Sequence, residues 1–152
     1  MKKLYVIKPR EIKLFMDIAE RVAQMSYAER LKVGCVIVKD RNIISMSWNG
    51  TPAGWDNCCE DYDTINIGGI LTLQQKTKPE VLHAEENSIL KLAREGKSGK
   101  CATMFCTHAP CIHCARMIGG AGISSLYYKN IYRDKSGIEY LKKYGTEIIH
   151  VS

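Results

Sequence analysis

Two short segments, His83-Ala84-Glu85 and, roughly two dozen residues later, Pro110-Cys111-Ile112-His113-Cys114, restrict the fold more than any other feature of the chain. One imidazole and two thiolates with a carboxylate beside them form the donor set of a catalytic zinc site, in which three protein ligands leave the fourth tetrahedral position to water. Any fold that uses them must bring the two segments together. Cys111 and Cys114 are three apart, so on a helix they share one face. In its first turn the helix dipole also lowers the pKa of both thiols. Residues two apart do not share a face inside a helix, but at a helix start His83 lies in or next to the cap, and Glu85 is left free as a general base. Such a base takes a proton from the water that attacks an electron-poor carbon, then gives it to a ring nitrogen and finally to a departing amine. That is hydrolytic deamination. The competing reading is a closed structural zinc, with His108 or His113 as a fourth ligand, in which Glu85 would have no part.

The rest of the chain predicts how the segments are carried. An extended start precedes Pro9. From there to about Met25, apolar residues at Ile12, Phe15, Ile18, Ala19, Val22 and Met25 follow a helical period, with Pro9 tolerated in the first turn. Val33 to Val38 and Ile43 to Trp48 read as strands of a hairpin joined by Lys39-Asp40-Arg41-Asn42. Asn49 to Leu82 shows no regular pattern and reads as one long functional loop. A helix over His83–Glu95, a strand over Ala102–Thr107, a helix over Cys111–Ile118, a strand over Ile123–Tyr128, a helix over Ile138–Tyr144 and a strand over Glu147–Val151 complete the order α-β-β-α-β-α-β-α-β. Single helices between the later strands imply a largely parallel sheet covered by helices, an α/β fold. Cys35, Cys101 and Cys106, in or beside strands, read as buried small hydrophobes.

The 152 residues suit one domain, 1–152, with a single core. A net charge of +6, spread singly or in pairs, fits a phosphorylated small molecule better than a nucleic-acid groove. Seven cysteines, with no apolar leader before the first helix, predict a reducing cytoplasm, that of a host if the source is viral. No run approaches the roughly 18 apolar residues of a membrane span.

At the two segments the sequence resembles the zinc-dependent cytidine and deoxycytidylate deaminase superfamily, whose signature is H-x-E followed by P-C-x-x-C. Val33 to Val38, Trp48-Asn49-Gly50-Thr51-Pro52-Ala53-Gly54 and Asn57-Cys58-Cys59 look like its deoxycytidylate branch, with phage and bacterial members most similar. The likeness runs from about Ser26 to Ile131. It implies a three-layer α/β/α fold with a five-stranded mixed sheet, and conversion of dCMP to dUMP in pyrimidine deoxynucleotide supply. His83, Cys111 and Cys114 would hold one zinc, Glu85 would shuttle protons, Asn49 would bond the sugar, and Ala84 and Ala109 would line the substrate. His108-Ala109 stand where the family usually has Leu-Ser. The stretch between Cys59 and His83 has no histidine, so a second zinc is not expected.

If the second hairpin strand runs parallel to those ending near Thr107 and Tyr128, then Asn49, both helix starts and the Tyr132-Arg133 turn open on one face, where open α/β sheets bind ligands. Arg133 can then pair with a phosphate and Tyr132 can donate to it. The Asn49-Gly50 loop resembles the family's allosteric site, activated by dCTP and inhibited by dTTP in the presence of Mg²⁺. Arg30 and Lys32 would supply charge there. Arg94 matches a subunit-contact position of phage relatives, which implies a homohexamer. Two other functions remain at this point: a nucleic-acid deaminase, and a zinc-stabilised nucleotide-binding protein without turnover.

Overall fold

The structure, a computed structural model, describes residues 5–152. Residues 5–8 have no regular structure, and the first four positions of the expected extended start lie outside the described residues. The elements are α1 (Pro9–Ala23), β1 (Gly34–Lys39), β2 (Asn42–Trp48), β3 (Glu60–Ile67), β4 (Ile70–Thr77), α2 (Ala84–Arg94), β5 (Thr103–His108), α3 (Ile112–Gly120), β6 (Ser125–Asn130), α4 (Ser136–Tyr144) and β7 (Glu147–His150).

Helix α1 starts at Pro9, whose missing N–H costs nothing there, and the Glu11 carboxylate turns back to accept from Lys8 N at 2.9 Å. The main sheet has the order β2-β1-β5-β6-β7. Strand β1 is antiparallel to both its neighbours, while β5, β6 and β7 run parallel, so β2 points the same way as β5. Asp40 and Arg41 both have positive φ, 49° and 67°, as a two-residue hairpin turn matching strand twist requires.

Alternation along β1 and β5 assigns the two faces. Val36, Val38 and Phe105 pack with Phe15, Met16 and Ala19 of α1. Cys35, Ile37, Met104 and Cys106 face the other way, into a larger core with Leu92 of α2, Ile118 of α3 and Leu141 of α4. This is the expected three-layer α/β/α fold with a five-stranded mixed sheet. Gly34 permits the closest of these approaches: a Cβ there would lie 2.0 Å from Ala19 O.

Two expectations fail. The stretch after Asn49 is not one long loop, because Glu60 to Thr77 forms a second antiparallel hairpin, turned at Gly68-Gly69 with φ of 61° and 88°. Its strands leave both faces largely in solvent, with Ile67 60%, Ile70 70%, Leu71 74% and Leu73 70% exposed. Without a buried face there is no one-sided apolar pattern to recognise. Cys101 is exposed, at φ 61°, in the turn before β5, whereas Cys35 and Cys106 are fully buried as expected.

Candidate active site

Both motifs begin helices, and each supplies its first ligand atom from the cap. His83 is the N-cap of α2, with extended φ −70° and ψ 155°, and its N–H donates to the Glu86 carboxylate at 3.3 Å. Glu85 is therefore the second residue of the helix rather than a neighbour on a continuous helical face. Cys111 is likewise the N-cap of α3, with φ −71° and ψ 170°, and Cys114 lies one turn on. The sequence placed Cys111 within the helix. It stands just before it, so its thiol is not in the first turn.

The His83 Nδ1 atom is 3.5 Å from Cys111 Sγ and 3.3 Å from Cys114 Sγ. The three atoms lie within 4.8 Å of one another and are the one such His, Cys and carboxylate group among the described residues. Tetrahedral zinc with ordinary Zn–S and Zn–N bonds would set N and S about 3.5 Å apart. The donor set fits that ion. Neither His108 nor His113 joins the group, so among the described residues no fourth ligand closes it.

The two thiols are pushed in opposite directions. The Cys111 thiol is held down at about 3, first by the hydrogen bond from Cys114 and then by that from His83. Cys114 moves the opposite way, because it is the hydrogen-bond donor to that thiolate and is also buried. Glu85 is 4% exposed, and burial pushes its carboxyl up to about 7.

His83 and Glu85 border a cavity of about 290 Å³ that also takes in Ala84, Ala109 and Cys111 from the motifs, and Arg30, Asn49 and Tyr132 from elsewhere in the chain. Cys114 is not among its lining. Lys32, Gly50 and Arg133 are not among its lining. The structure therefore brings together most of the expected substrate-side residues, and Arg30, expected at an effector site, also borders this cavity.

Asn49 is committed to backbone: Oδ1 accepts from Val33 N and Nδ2 donates to Leu31 O, both at 2.8 Å. Sequence reasoning missed Glu60 and Thr77 on the lining, and weighed His108 only as a fourth zinc ligand and as a departure from the family's Leu. Glu60 and Thr77 are the facing ends of the overlooked hairpin. His108 is bonded to Thr107 Oγ1 at 2.9 Å, and burial lowers its imidazole pKa and favours the neutral ring. Sequence reasoning also missed Gly137 of α4, where a Cβ would sit 2.2 Å from Pro110 O and 2.9 Å from the Cys111 carbonyl. Cys59 is buried and packs with Ala28 and Val81.

Residues 9–130 match the cytidine and deoxycytidylate deaminase zinc-binding region. The chain belongs to that family. It is 35% identical to the deoxycytidylate deaminase of Enterobacteria phage T4 over 90% of this chain and 87% of that protein. It is 33% identical to the Saccharomyces cerevisiae deoxycytidylate deaminase over 94% of this chain, but spans only 45% of the yeast protein. In three dimensions it is similar to the dCMP deaminase of cyanophage S-TIM5 in complex with dCMP and dUMP, with a TM-score of 0.83, 38% identity, and coverage of 96% of this chain and 100% of that one. No helix among the described residues is long and apolar enough to cross a membrane.

Proposed function

We propose that this chain is a zinc-dependent dCMP deaminase that hydrolyses dCMP to dUMP and ammonia. The observation that carries the reading is Glu85, a buried carboxylate bordering the same cavity as an open His-Cys-Cys set. His83, Cys111 and Cys114 would hold the ion. When bound, zinc supplies a Lewis acid that makes water acidic enough to act as a nucleophile near neutral pH.

The remaining work falls to the chain. Glu85 takes the proton of the attacking water, delivers one to the ring nitrogen of the cytosine, and then serves the leaving amine. Ala84 and Ala109, both small and buried, leave room for a flat ring beside the carboxylate. Tyr132 faces the cavity with a hydroxyl able to donate. Asn49 fixes the backbone of residues 31–33, with spare hydrogen-bonding capacity for a sugar hydroxyl.

Regulation by dCTP with Mg²⁺ and by dTTP, assembly as a homohexamer through the Arg94 end of α2, and action in the cytoplasm rest on family likeness and on seven free cysteines. The test is a substrate panel of dCMP, dCTP, cytidine, deoxycytidine and oligonucleotides with zinc-loaded protein. The expected result is conversion of dCMP far faster than any other member. Comparable rates on unphosphorylated nucleosides would remove the nucleotide part of the reading, and activity on oligonucleotides alone would replace it with nucleic-acid deamination.

A further inference from the structure

Helix α2 carries His83 at its cap and Glu85 in its first turn, and it lies against the edge strand β2. Contacts between helix and sheet are ordinarily apolar, because each element buries its hydrophobic face there. This one is polar at its centre. Ser45 and Ser47 of β2 meet Ser88 of α2, with Ser47 and Ser88 fully buried and Ser45 nearly so. A buried hydroxyl costs free energy unless it is hydrogen-bonded. All three are bonded: Ser45 Oγ donates to Ser88 O at 2.9 Å, Ser47 Oγ donates to Ala84 O at 2.7 Å, and the Ser47 and Ser88 hydroxyls lie 2.5 Å apart.

A serine hydroxyl has one hydrogen. Ser47 directs its own to Ala84 O, so Ser88 donates to Ser47 Oγ and holds it in that direction. Ala84 O belongs to the peptide bond that joins Ala84 to Glu85. The helical pattern brings it the N–H of Ser88, and Ser47 supplies a second donor from the sheet. A carbonyl oxygen has two lone pairs, and with both engaged the peptide leading into Glu85 is held by two elements at once. Ala84 and Glu85 are themselves buried.

We propose that Ser47 is a positioning residue for the deamination, acting through the Ala84–Glu85 peptide to set the Glu85 carboxylate against the ion-holding group. Apolar packing is non-directional and would leave α2 free to slide or turn slightly on the sheet. A directed hydrogen bond removes that freedom. A general base must come within about 2.6–3.2 Å of its partner, so small displacements of Glu85 count. Ser45 makes the same kind of bond one helical turn further from the cap, to the carbonyl of Ser88. The flank of the contact is tied separately, by Lys91 Nζ to Met46 O at 2.9 Å and Asn87 Nδ2 to Trp48 O at 3.4 Å. Loss of one serine hydroxyl therefore leaves α2 docked. The inference rests on the deamination reading above, though not on the choice of dCMP as substrate.

Its test compares Ser47→Ala with Ser45→Ala in zinc-loaded protein, with kcat, KM, zinc content and the denaturant midpoint measured for each. The wild type is measured first, on the best substrate of the panel. A wild type that deaminates nothing sinks the functional reading, and this inference with it. Given an active wild type, Ser47→Ala should keep about one zinc per chain and a KM within about twofold, and should lower kcat roughly 5- to 50-fold, short of the roughly 100-fold that a 1 Å misplacement costs. Ser45→Ala should lower the denaturant midpoint by a similar amount while its kcat stays within about threefold of the wild type.

An unchanged kcat in Ser47→Ala, or an equal fall in Ser45→Ala, overturns the assignment, since the serines would then only dock the helix. A loss carried by KM or by zinc content overturns it as well, because the displaced group would be the substrate or the ion and not the carboxylate. Ser88→Ala adds a separate arm: it removes the donor that orients Ser47 but leaves Ser47 bonded to Ala84 O, so kcat should fall by less than in Ser47→Ala, with KM kept. A kcat equal to that of the wild type would remove Ser88 from the proposal.

Discussion

The cavity joins two regions built by different means. The ion-holding region uses two helix N-caps, His83 and Cys111, whose side chains meet because α2 and α3 pack on one face of the sheet. Of its key groups, Glu85 and Cys114 are buried, Cys111 is half-buried and His83 is exposed. The region formed by residues 26–33, Asn49 and the β3–β4 hairpin is largely exposed apart from the buried Ser26, Ala28 and Glu60, and is held by a few polar contacts between loop backbone and the side chains of Glu60, Asn49 and Ser26. Chemistry that needs fixed geometry sits on regular elements, and recognition sits on a clamped loop. Changes in the first region should abolish activity or folding, and changes in the second should shift affinity and selectivity.

The largest effect is expected at Cys111. Cys111→Ser removes a thiolate donor, so zinc content by metal analysis should fall well below one per chain, and dCMP turnover should fall by at least about 100-fold. Full zinc content in this variant would detach Cys111 from the ion and erase the distinction between the regions. Next comes Gly137→Ala. The new methyl would press on the Pro110 and Cys111 backbone, atoms that cannot rotate away, so stability should drop by about 1–3 kcal/mol in a denaturant titration. A neutral result would show that the Cys111 helix start tolerates displacement.

In the recognition region, Asn49→Ala should cost about 1–2 kcal/mol by the loss of bonds to Leu31 and Val33, and should raise KM for dCMP more than it lowers kcat. A fall confined to kcat would place Asn49 with the chemical machinery instead. The smallest effect belongs to Tyr62→Phe on the exposed hairpin, where loss of the contact to Glu29 should change stability by no more than about 0.5 kcal/mol in a thermal melt.

The same division explains what was legible in the sequence. Helix α1, the first hairpin and the later α/β alternation show their period because each buries one face or both, and the two motifs carry unusual residue types at fixed spacing. The β3–β4 hairpin buries little, so Ile65, Ile67, Ile70, Leu71 and Leu73 offered no contrast between an inner and an outer face. The Gly68-Gly69 pair flanked by alternating Ile and Asn was the signal that could have found it. With the hairpin unseen, Glu60 had no place in the site, and Arg30 could be placed only beside the Asn49-Gly50 loop. Arg133 looked favourable because the rule for open α/β sheets identifies the rim where ligands bind, but not which side chain of a turn reaches inward. Gly137 gave no sign of its close approach, since that depends on how α4 docks on residues far from it in sequence.

The central claim is that the ion site and Glu85 together perform the deamination. It is tested most directly by measuring zinc content and dCMP turnover on the same preparation of Glu85→Gln. The account predicts about one zinc per chain, as in the wild type, with turnover reduced by at least two orders of magnitude, roughly the contribution of a general base or more. Turnover equal to that of the wild type, with zinc retained, would contradict it.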